Sequence, residues 1–492
     1  MFVLYAFLTA ILLTGIGIFY LKMFQLENYK IKKYILKALK FEFGFGDKSV
    51  FVWTDRIKRL IFCDFLANFC IFLLIFWQIC NYFSVFIVLD FAILKHLEIV
   101  LTFLISYPIE SLIKFFYINK AKKKLKKMHC KKIAITGSFG KTSTKNILYQ
   151  ILKEEFDVCM TPKSYNTPMG VCKTILNDLK ETDDFFIVEF GARHRGDIKF
   201  LTKFVGVDFG IFTPIGNCHI ETFGSIENIE KTKYELCENG EQFVVFNGKS
   251  KSTKKLYEKY PKRKVLTCVK DGFAYAKNIR ANKNGSSFDL HICDQVLTCK
   301  TKLLGKANID NIVVASSMAY LLGETLYSIL KGIEKLDPIP HRLEIVKGGK
   351  ATIIDDSYNS NFEGFCQALE VLNMFDGRKI VVSPGVVELG NKQYETNFQL
   401  GEMVFEVADI FVIMNKTNKE ALSQGAKKYL LNSKNKDKNT QKTQKIVKKI
   451  KKNNKKQVFF ANTRAEQVNI LKNILQDGDV VLFENDLPDN FK

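Results

Sequence analysis

No two cysteines in the sequence are spaced C-x-x-C, and the twelve cysteines stand singly along 492 residues. This argues against a zinc-finger spacing or a disulfide framework and suits a reduced, cytosolic setting for most of the chain. Acidic residues are almost missing from two lysine-rich runs. Residues 120–132 hold eight lysines and no acid, and residues 434–456 hold eleven lysines and one aspartate. Together they carry eighteen of the 22 excess positive charges. The remainder is close to neutral, which argues against a nucleic-acid groove, and no nucleic-acid partner is expected. A hydrophobic share of 47% and a charged share of 25% exclude a wholly disordered or collagen-like chain. The length calls for two or three domains.

The first 21 residues contain no charged side chain, and as a helix they would extend about 30 Å, enough to cross a bilayer core. They lack the basic start and small-residue cleavage site of a signal peptide. A second uncharged stretch covers 65–89, between Asp64 and Asp90. A third runs from Ile99 to Ile109 and contains Pro108; drawn as a span over 83–107 it would include Lys95, His96 and Glu98, which are costly in lipid unless paired. Two or three membrane helices are therefore expected within residues 1–127. Lysine and arginine crowd 22–59 and 120–132, which places both segments on the cytoplasmic side and asks for three crossings from an outer N-terminus. The run at 120–132 would lie against anionic headgroups of the lipid bilayer, each lysine adding about 1 kcal/mol.

From Lys131 the texture becomes short apolar runs alternating with helical patterns. KKIAIT (131–136) reads as a buried strand, GSFGKTS as a loop and TKNILYQILKEEF (144–156) as an amphipathic helix. Strand, glycine loop and helix form the setting of a phosphate-binding loop. Gly137 and Gly140 let backbone N–H groups close on phosphate oxygens, Lys141 supplies a point charge, and Thr142 offers a hydroxyl for Mg²⁺. The longer GxxxxGK[ST] spacing is not met, because Ile135 stands at its first glycine.

TGSFGKTSTK resembles the shortened phosphate loop of the Mur ligase family, and six further blocks follow in that family's order. They are SYNTPMGV (164–171), VEFGARHRGDI (188–198), HIETFGSIENIEKTKYE (219–235), GKANIDN (305–311), HRLEI (341–345) with IDDSYNSN (354–361), and VVELG (386–390). The resemblance covers about 130–492. It implies a central P-loop ATPase-type parallel-sheet domain (128–338) and a C-terminal Rossmann-like α/β domain (339–492), behind the membrane region 1–127. The overall class is α/β. Within the family, DDSYN, FGS and ELG point to the member that adds D-alanyl-D-alanine to a UDP-muramoyl tripeptide. The implied substrates are ATP, the UDP-muramoyl-peptide and D-Ala-D-Ala, with Mg²⁺, two ions being expected. The implied place is the inner (cytoplasmic) membrane, catalytic domains facing the cytoplasm, beside cell-wall synthesis enzymes.

An ATP-dependent amide ligase makes a carboxylate electrophilic as an acyl phosphate that an amine then attacks, so it must gather cations and backbone donors around anionic oxygens. Glu189 ends the apolar strand FFIVEF, a placement that presents its carboxylate at the sheet edge where ligands bind; Mg²⁺ coordination shared with Thr142 is its expected role. By resemblance, Ser138 and Ser143 belong to the nucleotide loop, and Ser164, Asn166 and Asn359 to the substrate-contacting loops. His219 would be a metal ligand and catalytic group. Lys233 would be carbamylated, joining the metal environment, though nothing in KTKYE separates it from Lys231. Asn308 and Asn311 would contact adenine, with helix capping as the alternative. Arg342 would meet the transferring phosphoryl group. Asp356 would face the nucleotide from the C-terminal domain when the domains close.

The last 150 residues alternate strand and helix: ATIID, a helix near 363–374, RKIVVSPG, a helix near 395–407, ADIFVIM, a helix near 417–430, QVFF, a helix near 464–475 and DVVLF. Such alternation predicts a parallel sheet with covering helices, interrupted by an exposed basic segment at 434–456. Some residues depart from the family's pattern. Membrane segments stand where its N-terminal substrate domain is expected, Pro214 replaces a common asparagine, and Phe362 replaces a proline. ENDLPD (484–489) stands where a lysine-glycine-serine pattern is common, near the incoming amine. These departures keep two alternatives open: a Mur-type ligase with another amine or carboxylate, and a catalytically silent membrane scaffold.

Overall fold

The computed structural model describes residues 2–27, 29–39, 52–79, 91–216, 220–238, 243–358, 360–438 and 456–485. Its contacts divide the chain into two units, with the boundary between Tyr117 and Ile118.

The first unit is helical: Phe2–Leu26, Ile31–Leu39, Asp55–Ile79, and the part up to Tyr117 of a long helix, Phe91–Leu125. Among the described residues, Ala6–Leu26 and Leu97–Leu125 are long and apolar enough to cross a membrane. The expected span at 65–89 falls partly on the helix that already begins at Asp55 and partly on residues 80–90, outside the described residues. The third apolar stretch does not stop at Pro108. The helix runs through it to Leu125, as apolar helices do when neighbours take up the freed backbone groups. Glu110, buried on this helix, accepts a hydrogen bond from Arg59 Nε at 2.5 Å, so the carboxylate in an apolar setting is paired.

The second unit is built on two sheets. The first has nine strands: β1 (Lys131–Thr136), β2 (Val158–Met160), β3 (Phe185–Glu189), β4 (Phe209–Phe212), β5 (Phe243–Asn247), β6 (Lys264–Thr267), β7 (Ala274–Asn282), β8 (Gly285–Ile292) and β9 (Gln295–Thr301). Their order is β2-β3-β1-β4-β5-β6-β7-β8-β9. Strands β1 to β6 are parallel, as expected, but β7 to β9 extend the sheet as an antiparallel meander. The two-residue links at 283–284 and 293–294 allow only hairpins, since a parallel return needs a crossover of a dozen residues or more. Strand β1 is apolar on both faces because helices cover both. Ile133 and Ile135 pack with Ile147, Ile151 and Ile312, while Ala134 packs with Val188, Phe190 and Ile198.

The second sheet orders β10 (Glu344–Gly348), β11 (Ala351–Asp356), β12 (Lys379–Ser383), β13 (Ile410–Met414), β14 (Gln457–Ala461) and β15 (Val480–Glu484) as β10-β11-β15-β12-β13-β14. Only the β10–β11 hairpin is antiparallel among these pairs. Helices at Phe362–Asn373, Gln393–Val407, Lys419–Lys438 and Arg464–Ile474 alternate with the strands. Phe362 opens its helix without the family's proline because Asn361 caps it, accepting from the Gly364 N–H at 2.9 Å. Of the basic segment 434–456, residues 439–455 lie outside the described residues, and the preceding helix reaches Lys438.

Candidate active site

The C-terminal ends of β1 and β3 meet beside the phosphate loop. Gly137 and Gly140 sit at φ +149° and +74°, and a Cβ at Gly140 would lie 2.6 Å from Asn311 Oδ1. Only glycine fits there: the backbone is left-handed and the helix 306–321 presses against the loop. The loop is also held from outside. Ser138 N–H donates to the Pro214 carbonyl at 2.9 Å, and Ser138 Oγ donates to the Gly216 carbonyl at 3.0 Å. Pro214, a departure from the family's pattern, supports the loop through its carbonyl, which needs no side-chain amide. Lys141 Nζ bonds the carbonyls of Gly137 and Ser138 at 2.9 and 3.0 Å, so its charge stays over the loop. Ser143 is buried in the first helical turn.

Glu189 is the last residue of β3 and is buried. Its Oε2 accepts from Thr142 Oγ1 at 2.8 Å and faces Lys145 Nζ at 3.3 Å; its Oε1 accepts from Asn166 Nδ2 at 3.1 Å. Burial alone would raise its pKa, but the charges of Lys145 and Lys141, with the hydrogen bonds from Asn166 and Thr142, hold it below the usual carboxylate value. Burial lowers the Lys145 pKa against the pull of Glu189. A hydroxyl and an ionised carboxylate side by side at the phosphate loop are hard oxygen donors, which fit a magnesium ion.

The other expected residues are spread over several places. Lys233 is buried while Lys231 is exposed, a distinction the linear pattern does not make. Asn308 and Arg342 line one cavity of about 160 Å³ with Lys283, Lys302 and Pro338; Asn308 also donates to the Leu304 carbonyl at 2.9 Å. Asn311 is not part of that lining. It lies at the phosphate loop, where its Oδ1 accepts from Thr144 at 3.2 Å. His219 and Asn359 lie outside the described residues.

Asp356 ends β11, and its Oδ1 accepts from the Leu343 N–H at 3.2 Å. Burial, opposed by Arg342, raises its pKa to about 6. Its neighbour Glu484, fully buried and bonded by Ser360 Oγ, is pushed well above the carboxylate range, first by burial and then by the charge of Asp356. The Arg342 guanidinium lies 4.6 Å above the Tyr358 ring, and the Tyr358 hydroxyl bonds Ser164 Oγ. That contact joins the DDSYN segment to the SYN loop.

The segments that build this site lie within regions similar to known proteins. Residues 135–319 match the Mur ligase middle domain, and residues 341–484 match the Mur ligase glutamate ligase domain. By these two domains the chain belongs to the Mur ligase family. A UDP-N-acetylmuramoyl-tripeptide–D-alanyl-D-alanine ligase of Buchnera aphidicola is 30% identical over 297 residues, covering 58% of this chain and 64% of its own. The Escherichia coli ligase of the same name is 29% identical over 279 residues, covering 55% and 61%. The chain thus spans less than two thirds of the length of these relatives. The crystal structure of the MurF ligase of Thermotoga maritima in complex with ADP aligns with a TM-score of 0.64 at 25% identity, over 76% of this chain and 80% of that one. MurF from Acinetobacter baumannii shares the fold, with a TM-score of 0.65 at 23% identity, over 76% of this chain and 77% of that one.

Within this Mur ligase, sequence reasoning missed Lys145, Tyr358 and the Glu484–Asp356 contact. Lys145 stands one helical turn after Lys141 in GKTSTK, and that i,i+4 spacing was the available signal. The other two join segments more than a hundred residues apart and leave no local signal.

Proposed function

We propose that this chain is an ATP-dependent ligase that joins D-alanyl-D-alanine to a UDP-N-acetylmuramoyl tripeptide in peptidoglycan precursor synthesis. The observation that carries the reading is the Thr142–Glu189 pair, 2.8 Å apart at the phosphate loop, with Asn166 of the SYN loop on the other carboxylate oxygen. A tripeptide carboxylate oxygen attacks the γ-phosphorus, ADP leaves, the amine attacks the acyl carbon, and inorganic phosphate departs. Lys141 and the loop N–H groups neutralise the phosphate oxygens, and Arg342 approaches the phosphoryl group from the C-terminal domain. Magnesium held by Thr142 and Glu189 would offset phosphate charge; His219 and a carbamylated Lys233 would serve a second ion. Lys233 is the buried one of the two lysines, which supports it over Lys231 for that modification. Asn308 would contact adenine, Ser164, Asn166 and Asn359 the muramoyl substrate, and Asp356 the nucleotide.

The domains of this reading are the membrane region 1–127, the ATP-binding domain 128–338 and the C-terminal domain 339–492. Two apolar helices support anchoring in the cytoplasmic membrane, with the catalytic domains on the lysine-rich, cytoplasmic side and other cell-wall enzymes as neighbours. Phosphate release by the full chain in detergent, with ATP, Mg²⁺ and UDP-MurNAc-tripeptide, should require D-Ala-D-Ala and vanish in Lys141→Ala. Release that needs a different amine would keep the chemistry and move the substrate. Glu484 favours this second reading, because it buries a carboxyl where the family's pattern has a lysine. No release, with ADP still bound, would leave the silent scaffold. Membrane fractionation of the intact chain tests the anchoring.

A further inference from the structure

Lys145 is 0% exposed, yet it carries a charged group. Burying an ammonium costs several kcal/mol unless it is paired and hydrogen-bonded, so its partners define its role. Nζ lies 3.3 Å from Glu189 Oε2 and donates to the backbone carbonyl of Lys163. Lys163 has a left-handed backbone, φ +47°, at the start of the loop that carries Ser164 and Asn166. That loop touches Glu189 on either side of Lys163. Thr161 Oγ1 accepts the Glu189 N–H at 3.2 Å, and Asn166 Nδ2 donates to Oε1 at 3.1 Å. One buried cation thus bonds both the carboxylate at the phosphate loop and the backbone of the SYN loop.

We propose that Lys145 is a positioning residue of the ligase, orienting Glu189 and tying the 161–166 loop to it, so that one ammonium sets both the metal-facing carboxylate and the UDP-sugar subsite. The proposal deepens the ligase reading and rests on it. Thr142 and Asn166 direct single hydrogen bonds at Glu189, one on each oxygen. Lys145 adds the counter-charge, which neither of those neutral groups supplies, and a further link to the substrate loop through the Lys163 carbonyl.

The test compares full-length wild type, Lys145→Met, Lys145→Arg, Glu189→Gln and the double variant Lys145→Met/Glu189→Gln in detergent. UDP-MurNAc-tripeptide binding is measured by calorimetry without Mg²⁺, ADP binding is titrated with Mg²⁺, and melting is followed separately. Lys145→Met should bind the UDP-tripeptide about ten-fold more weakly and need roughly 10–100-fold more Mg²⁺ for ADP, while remaining folded; Lys145→Arg should recover part of both. If the lone Glu189 carboxylate prevents Lys145→Met from folding, the double variant removes that charge. It should bind the UDP-tripeptide more weakly than Glu189→Gln alone, which keeps the bond to Lys163. Unchanged Mg²⁺ dependence and UDP-tripeptide binding in folded Lys145→Met, or equal binding by the double variant and Glu189→Gln, would overturn the proposal. A wild-type chain that binds ADP with Mg²⁺ but no UDP-tripeptide would instead overturn the substrate assignment, and with it the tie to the sugar loop.

Discussion

Thr142 and Glu189, 47 positions apart in the sequence, meet at 2.8 Å because β1 and β3 pair in parallel, with Ile135 opposite Glu189. The pairing brings the end of β3 level with the loop that follows β1. Glu189 therefore lies in the crevice beyond the carboxyl ends of the strands, where open α/β sheets bind their ligands.

Glu189→Gln removes the counter-charge of a fully buried ammonium. The expected cost is about 3–5 kcal/mol, read as a lower denaturation midpoint. Adding Lys145→Met should restore most of it, since neither charge is then left alone. A double variant no more stable than Glu189→Gln would show that the two residues are not coupled.

Gly140→Ala tests the close approach of the helix 306–321. Its φ of +74° should cost about 1–2 kcal/mol with a Cβ present, and the contact with Asn311 Oδ1 should displace the loop. ADP binding should be lost while the circular dichroism spectrum is kept. Retained ADP affinity would mean that the loop adapts.

Tyr358→Phe deletes the hydroxyl that bonds Ser164. A hydrogen bond of about 0.5–1.5 kcal/mol corresponds to a rise of roughly two- to ten-fold in KM for the UDP-tripeptide, with the melting temperature nearly unchanged. A fall in kcat with KM constant would place the contact in the chemical step instead.

Glu324 is buried, and neither of its carboxylate oxygens finds a hydrogen-bond partner among the described residues. Burial, with Glu155 and Glu154 nearby, raises its pKa from 4.5 to about 8. The folded state therefore holds a proton that the unfolded chain releases above about pH 4.5. The associated stability is complete below that value and is lost as pH rises through about 8. Glu324→Gln should flatten the melting temperature between pH 5 and 9 and raise it at the alkaline end. An unchanged slope would assign the pH dependence to other groups.

Much of this protein was legible in one dimension because the signals are local. The strand 131–136, the glycine loop and the alternation after residue 350 follow from neighbours within a few positions, where periodicity and backbone preferences act. Glu189 could be singled out because an apolar strand ends on it. The antiparallel meander β7–β9 escaped, since its strands, although longer than β1, mix polar and charged residues with apolar ones and carry no compact apolar run. The apolar helices of the first unit were placed by composition, but their ends shifted, because caps and packing set helix boundaries and apolar content does not.

By itself, the sequence determined which residues bring chemistry to the chain: the glycines, Lys141 and Thr142 of the phosphate loop, the strand-ending Glu189, and the lysine run after an apolar helix. Only the tertiary structure decided which of them share a site. It set Asn311 against the phosphate loop, separated buried Lys233 from exposed Lys231, and placed Lys145 between Glu189 and Lys163. The physical reason is that burial and charge pairing depend on strand order and helix packing, which bring together side chains that no spacing in the chain relates.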